Sequence, residues 1–185
     1  MTRTRLFLSP VLFALSFLVA PSCAAAPRAT GWSYPAVAGY GGVHVWRGAV
    51  GRPDPKAVYK VVAVVNKGSA RARRADFQLM LVARMFNDFA AAGVPLSHLH
   101  VLVIVAGPAT PLVLGETSFL ARYHHSNPNL VLLRRLERVG ARIEVCGNAL
   151  YGFGLNPDEL APHVRVAYSA ITAVIEAEKR GYAFF

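Results

Sequence analysis

The stretch Glu144 to Leu155, EVCGNALYGFGL, sets one thiol where an apolar run gives way to glycine and a helix-like segment. Cysteine reacts as the thiolate. A free thiol titrates near about 8.5, and a helix N-terminus or a nearby cation lowers that value. Cys146 ends a strand-like run and precedes Gly147 and Asn148, so the unpaired N–H groups of a following helix would point at its sulfur. Gly147 would leave room for a second molecule to approach, and Lys67, at another strand end, would add positive charge. These features suit a nucleophile, a sulfur-accepting thiol or an oxidation sensor. The competing expectation is a packed, inert thiol, because free cysteine is among the most buried residue types.

The other reactive side chains say less. His98 and His100 alternate at a strand start, His124 and His125 are adjacent, and His163 follows a proline. None has the i, i+4 helical spacing of a zinc site, so no metal and no cofactor are expected. His124 or His125, in the loop region after the second strand, is the best placed to serve Cys146 as a base. No Ser-His-Asp arrangement is readable. The glycine pairs in GYGG and YGFG lack the strand-to-helix context and the acidic ribose partner of a dinucleotide fingerprint, and read as turns.

The setting of the thiol follows from the start of the chain. Arg3 and Arg5 precede the apolar run Leu6 to Ala20, and small residues follow in PSCAAAPRA. Basic start, apolar middle and small-residue exit make a secretory signal over residues 1–25, cut at Ala24 or Ala25. The apolar run is short for a membrane span, which takes roughly 20 residues. APSC is a poor lipobox, which argues against Cys23 as a lipidated N-terminus. The expectation is a periplasmic protein with no transmembrane segment after cleavage. Losing Arg3 and Arg5 takes the formal charge from +10 to +8 and leaves Cys146 as the only cysteine. A disulfide framework within one subunit is then excluded. The basic residues cluster in KGSARARR and at Arg134, Arg135, Arg138 and Arg142, without a stripe of interleaved aromatics. Nucleic acid is therefore not an expected partner. A solvated basic face, small anions or an acidic protein partner remain open.

Residues 26–54, rich in Gly and Pro and carrying Trp32, Tyr34, Tyr40 and Trp46, read as an irregular arm laid over the domain. Residues 55–185 alternate strands and helices. Val58 to Val65 and Leu99 to Ala106 are apolar runs of strands buried on both faces. Between them, Asp76 to Ala92 carries Phe77, Met80, Leu81, Met85 and Phe89 at helical spacing, and Gly93 stops it. Gly115 to Tyr123 suits a short helix. Asn127 and Pro128 read as cap and first residue of the next helix, which Gly140 closes. RIEV is a third strand running into Cys146, Asn148 to Phe153 a short helix or turn, and Val164 to Val166 a short fourth strand. Ser169 to Arg180 is the last helix, with Ile171, Val174 and Ile175 directed inward, and YAFF suits an edge strand. Such alternation implies a parallel sheet with right-handed crossovers, whose ligands sit beyond the carboxyl ends of the strands. Three of those ends are Asn66-Lys67-Gly68, Gly107 to Thr110, and Cys146-Gly147-Asn148.

The order GYGGVH, YKVVAVVNKG, AAGVP, GPATPLVL, NPNL, VCGNAL and SAITAVIEAEKRGYAF resembles the exported branch of the DsrE/DsrF-like sulfur-relay proteins, over about Tyr34 to Ala183. The resemblance implies an α/β fold, a three-layer αβα sandwich on a mainly parallel sheet of Rossmann or flavodoxin type, assembled as a homo-oligomer. It implies that Cys146 accepts sulfane sulfur as a persulfide and passes it on, with small sulfur anions or a sulfur donor or acceptor protein as partners. By motif position, Gly147 and Asn148 share the loop of Cys146, and Gly107 and Thr110 fall in the loop beside it. With Lys67 these are the substrate-binding candidates. Whether such a chain turns over as an enzyme stays open. The alternative is a non-catalytic periplasmic binding or oligomeric module whose cysteine is structural or redox-sensing.

Overall fold

Three apolar runs pair side by side at the centre of the computed structural model, which describes residues 31–185. The expected signal segment, with Arg3, Arg5 and Cys23, lies outside the described residues. In chain order the elements are β1 (Tyr59–Val65), α1 (Phe77–Ala91), β2 (Leu99–Val105), α2 (Glu116–Tyr123), α3 (Leu130–Arg138), β3 (Ala141–Cys146), α4 (Gly147–Gly152), β4 (Arg165–Ala167), α5 (Ala170–Lys179) and β5 (Ala183–Phe184). A 3-10 segment, Gly107–Val113, follows β2 directly. The five strands lie in the order β4-β3-β2-β1-β5, and every pairing is parallel. Helices cover both faces, so the architecture is the three-layer αβα sandwich expected. No helix among the described residues is long and apolar enough to cross a membrane.

Strand alternation sorts the core into two layers. Leu99, Val101, Val103 and Val105 of β2 join Val61, Ala63 and Val65 of β1 and Ile143 and Val145 of β3 in the layer under α1 and α3. Val62, Leu102 and Ile104 face the other way, toward α5. Asp76 caps α1, its carboxylate accepting from the N–H groups of Gln78 and Leu79 at 2.9 and 3.2 Å. The buried stripe of α1 is Leu79, Val82, Ala83, Met85 and Phe86, so the inward face is rotated from the expected one and Phe77 stands in solvent. Phe77 shares the first turn with the fully buried Leu79 but lies on its other side. Each large side chain of that stripe contributes about 1.5–3 kcal/mol by burial.

The described part of the arm lies on the domain through backbone hydrogen bonds, the buried Val37 and the half-buried Tyr40. Asn87 of α1 is fully buried and accepts from the N–H groups of Ala36 and Val37 while donating to the carbonyls of Tyr40 and Gly41. A side chain at Gly41 would begin 2.2 Å from the backbone nitrogen of Arg84, and its φ of 58° is itself one that glycine tolerates best. Trp46 is 73% exposed and Trp32 is exposed as well.

Two other boundaries and one helix orientation differ from expectation. α3 begins at Leu130 with Asn129 at its cap, because Asn127 and Pro128 form a preceding turn in which Asn127 accepts from the N–H of Asn129 at 3.0 Å. β4 is one residue later than expected. On α5, Ile171 and Ile175 point outward at 74% and 51% exposure, and only Val174 of the expected trio packs inward. Ala170, Ala173 and Ala177 form the contact instead. Small residues let the helix sit close on Val62, Leu102 and Ile104, which leaves its bulkier side chains on the far side.

Candidate functional site

Ile143 and Val145 of β3 face the α1/α3 layer, so the next side chain, Cys146, turns to the α5 side. Its backbone is still extended, with φ −61° and ψ 120°, and α4 begins at once with Gly147. The sulfur does not cap α4. It accepts a hydrogen bond from the backbone N–H of Ala170, the first residue of α5, at 3.2 Å. Ser169 divides the donors of that helix end: its hydroxyl oxygen accepts from Thr172 N–H at 3.1 Å, which leaves Ala170 N–H for the sulfur. An N–H at the positive end of a helix dipole favours negative charge on the group it faces. Cys146 is 7% exposed, at the carboxyl edge of the sheet.

Gly147 has a packing role that differs from the expected one. A Cβ there would lie 2.9 Å from the carbonyl oxygen of Ala167 and 3.2 Å from that of Tyr168. The glycine therefore admits the β4–α5 connection, which in turn carries Ala170 N–H to the sulfur. It does not open a path for a second molecule. Ala167 is also the register partner of Cys146 across β3 and β4.

The remaining expected residues are spread along the same edge. Gly107 begins the 3-10 segment with φ 53°. That segment packs against β3 and α4, and within it Thr110 is fully buried with its hydroxyl making no hydrogen bond among the described residues. Asn148 is exposed on α4. Lys67 is exposed beyond β1, two strands and about 10 Å from the β3 line. Its N–H and that of Asn66 donate to Gln78 Oε1, and no hydrogen bond or ion pair joins its ammonium to Cys146. The structure thus brings together Cys146, Gly147 and the start of α5, with the Thr110 segment alongside, and leaves Lys67 apart.

A polar network beneath this edge fixes the loops. Asn127 donates to the carbonyls of Leu112 and Leu114 and accepts from Asn129, whose own side-chain oxygen accepts from Asp76 N–H at 2.7 Å. The 3-10 segment, α3 and α1 are joined through two buried asparagines. Glu116 accepts from Asn127 N–H at 3.0 Å. The hydroxyl of Ser126 and then that N–H hold its carboxyl below the usual range. The NPN tripeptide was the available sequence signal, but it read as a helix cap only.

The histidines stay away from the thiol. His125 packs its ring edge-on to Phe119 at 5.3 Å, His124 ends α2 with φ 57°, and neither hydrogen-bonds Cys146. The expected general base is therefore absent from the sulfur's hydrogen-bond partners. Among the described residues no group of three or more His, Cys, Asp or Glu is placed to hold a metal ion.

The model of the DsrE/DsrF-like family matches residues 60–185, from the first strand to the end of the chain. A solved structure of a protein of unknown function from Methanobacterium thermoautotrophicum is similar to this chain at 18% identity, with a TM-score of 0.52, covering 69% of this chain and 97% of that one. That likeness is one of fold. Among curated proteins, none matches.

Proposed function

The chain belongs to the DsrE/DsrF-like family, and from that premise we propose that it is a sulfur-handling protein whose Cys146 carries sulfane sulfur as a persulfide. One observation carries the reading: the sulfur of the single described cysteine sits at the carboxyl edge of the sheet and accepts the first N–H of α5. The thiolate would attack the outer sulfur of a donor such as thiosulfate. A new S–S bond forms, the donor's S–S bond breaks, and its electron pair leaves on sulfite. No external oxidant is consumed. The persulfide anion inherits the helix-end N–H, and an acceptor thiolate or a partner protein then removes the outer sulfur. Asn148, exposed on α4, would form the rim against which the small anion approaches, with Gly147 seating the β4–α5 connection and Thr110 buried behind it, and Lys67 would act as a more distant positive charge.

The site of action in this proposal is the periplasm, reached by the leader of residues 1–25. A homo-oligomer is the working assembly. The outward Ile171 and Ile175, with Tyr168 beside the thiol at 90% exposure, give one copy an apolar face to present to another. The test is incubation with thiosulfate followed by intact-mass measurement. Gain of one sulfur mass by the parent and not by Cys146→Ser is expected. No gain, or an undiminished gain in the variant, would overturn the reading.

A second reading has its own support in the 7% exposure of Cys146. There the thiol packs or senses oxidant, and the chain is a non-catalytic binding or oligomeric module. Alkylation of the native protein separates the two. Labelling that waits for unfolding supports the packed thiol, and prompt native labelling supports the carrier.

A further inference from the structure

The basic run of α3 divides in two. Arg135 turns to the arm, stacking its guanidinium 5.2 Å from the Tyr40 ring centroid and donating to the Ala38 carbonyl. Arg134 and Arg138 line a cleft of about 570 Å³ between α3 and the turn at Ala161–Val164. Leu130, Leu133 and Pro162 supply its apolar wall, and Glu137 and His163 complete the polar part. Glu137 and His163 also line an adjoining cavity of about 190 Å³, which Arg142 and Arg165 border. On the cleft side, the Glu–His wall is thus flanked by Arg134 and Arg138.

These arginines are not spent on structure. The ion pairs among the described residues are Arg122–Glu159 and Lys179–Glu176. Of the four, only Arg142 donates a side-chain hydrogen bond, a long one of 3.5 Å to the Tyr182 hydroxyl. Glu137 Oε1 is sealed from solvent and has no hydrogen-bond partner. Of the guanidinium groups nearby, Arg134 acts on this carboxyl, and neither Arg134 nor Arg138 has an ion-pair or hydrogen-bond partner among the described residues. His163 adds a second irregularity. It sits at φ 68° in a turn closed by Val164 N–H on the Ala161 carbonyl, a position that usually takes glycine. A side chain held in that conformation beside a cavity points to function.

We propose that the two cavities form a binding site for an organic oxyanion, its apolar body on Leu130, Leu133 and Pro162 and its carboxylate or phosphate head between Arg134 and Arg138. Paired guanidinium forks match the oxygen geometry of such a head. The site is separate from the thiol: Arg142, the second residue of β3, lies about 13 Å along the strand from Cys146 at its end.

Titration calorimetry on the full-length chain with phenyl phosphate and with benzoate tests this. Saturable binding to one site per chain is expected for at least one of them. Arg134→Gln/Arg138→Gln should weaken it by about tenfold or more, and Cys146→Ser should leave it unchanged. Both arginines are exposed, so the variant keeps its fold, which a thermal melt verifies. Absence of saturable binding, equal affinity in the double variant, or equal affinity for benzyl alcohol would overturn the proposal. Inorganic phosphate binding as tightly as phenyl phosphate would overturn its apolar half.

Discussion

The two faces of the sheet are built to different standards. Under α1, α3 and the arm, side chains from three strands interlock with Leu79, Phe86, Leu132, Leu133 and Leu136, all at or near complete burial. On the opposite face one ten-residue helix presents alanines to Val62, Leu102 and Ile104. That helix leaves Ile171 and Ile175 outside, and the exposed Lys60, His100 and Arg142 lie on the same sheet face by alternation. Only at its two ends does it hold polar partners: Lys60 Nζ donates to the Arg180 carbonyl at 3.1 Å, and Ala170 N–H donates to the thiol. The first face supplies stability. The second holds Cys146 through a light contact, so a change there can alter chemistry or assembly with little change in the fold.

The contrast is broken most severely from the first face. Phe86→Ala removes a fully buried ring from the α1 contact and should cost about 3–5 kcal/mol in urea unfolding. A cost under about 1 kcal/mol would mean that the layer repacks freely. Gly147→Ala comes next. The φ of Gly147 is not in the left-handed region, so conformation alone would admit alanine. The carbonyl oxygens of Ala167 and Tyr168 are what the methyl meets. We expect a loss of about 2 kcal/mol, together with slower sulfur uptake as Ala170 N–H moves off the thiol. Unchanged unfolding and uptake would remove the packing role assigned to this glycine. Ile171→Ser/Ile175→Ser sharpens the comparison from the other side. Stability of one protomer should change by no more than about 0.5 kcal/mol, while sedimentation shifts from oligomer to monomer. A monomeric parent would dispose of the assembly reading.

Much of the fold was legible because buried parallel strands write themselves as apolar β-branched runs and their helices carry separate caps. VYKVVAVV and LHVLVIVA became β1 and β2 almost residue for residue, and Asp76 and Ser169 cap the helices they precede. The α5 orientation was not legible. Ile171, Val174 and Ile175 are the natural inward stripe by hydrophobicity, but helix-to-sheet distance selected the alanines, and nothing local encodes that distance. For the site, the position of Cys146 at a strand end was readable. Its donor was not, since Ala170 lies 24 residues away and arrives only through the β3–β4 pairing. Lys67 shows the converse: it shares the sheet edge with Cys146, but β2 intervenes, so edge position alone does not give contact.

The smallest expected effect lies where the well-packed layer stops, at the β3–β4 end of α3. Burial pushes the Glu137 carboxyl above its usual range, against the pull of His163 and then Arg134, with Arg138, Arg142 and Arg165 also bordering its cavities. A carboxyl whose folded pKa exceeds its unfolded one binds its proton more tightly in the native state. Stability is then greatest when it is protonated and falls as pH rises through that window. Glutamine carries no charge to desolvate, so Glu137→Gln should melt about 1 °C above the parent at pH 8. The difference should close as pH falls below about 4, the ordinary carboxylate range. Thermal melts of both proteins across that span decide it. A variant that melts below its parent at pH 8 would mean that attraction to the surrounding cations outweighs desolvation, which would make Glu137 a structural partner of the arginines and the packed layer closed at this end as well.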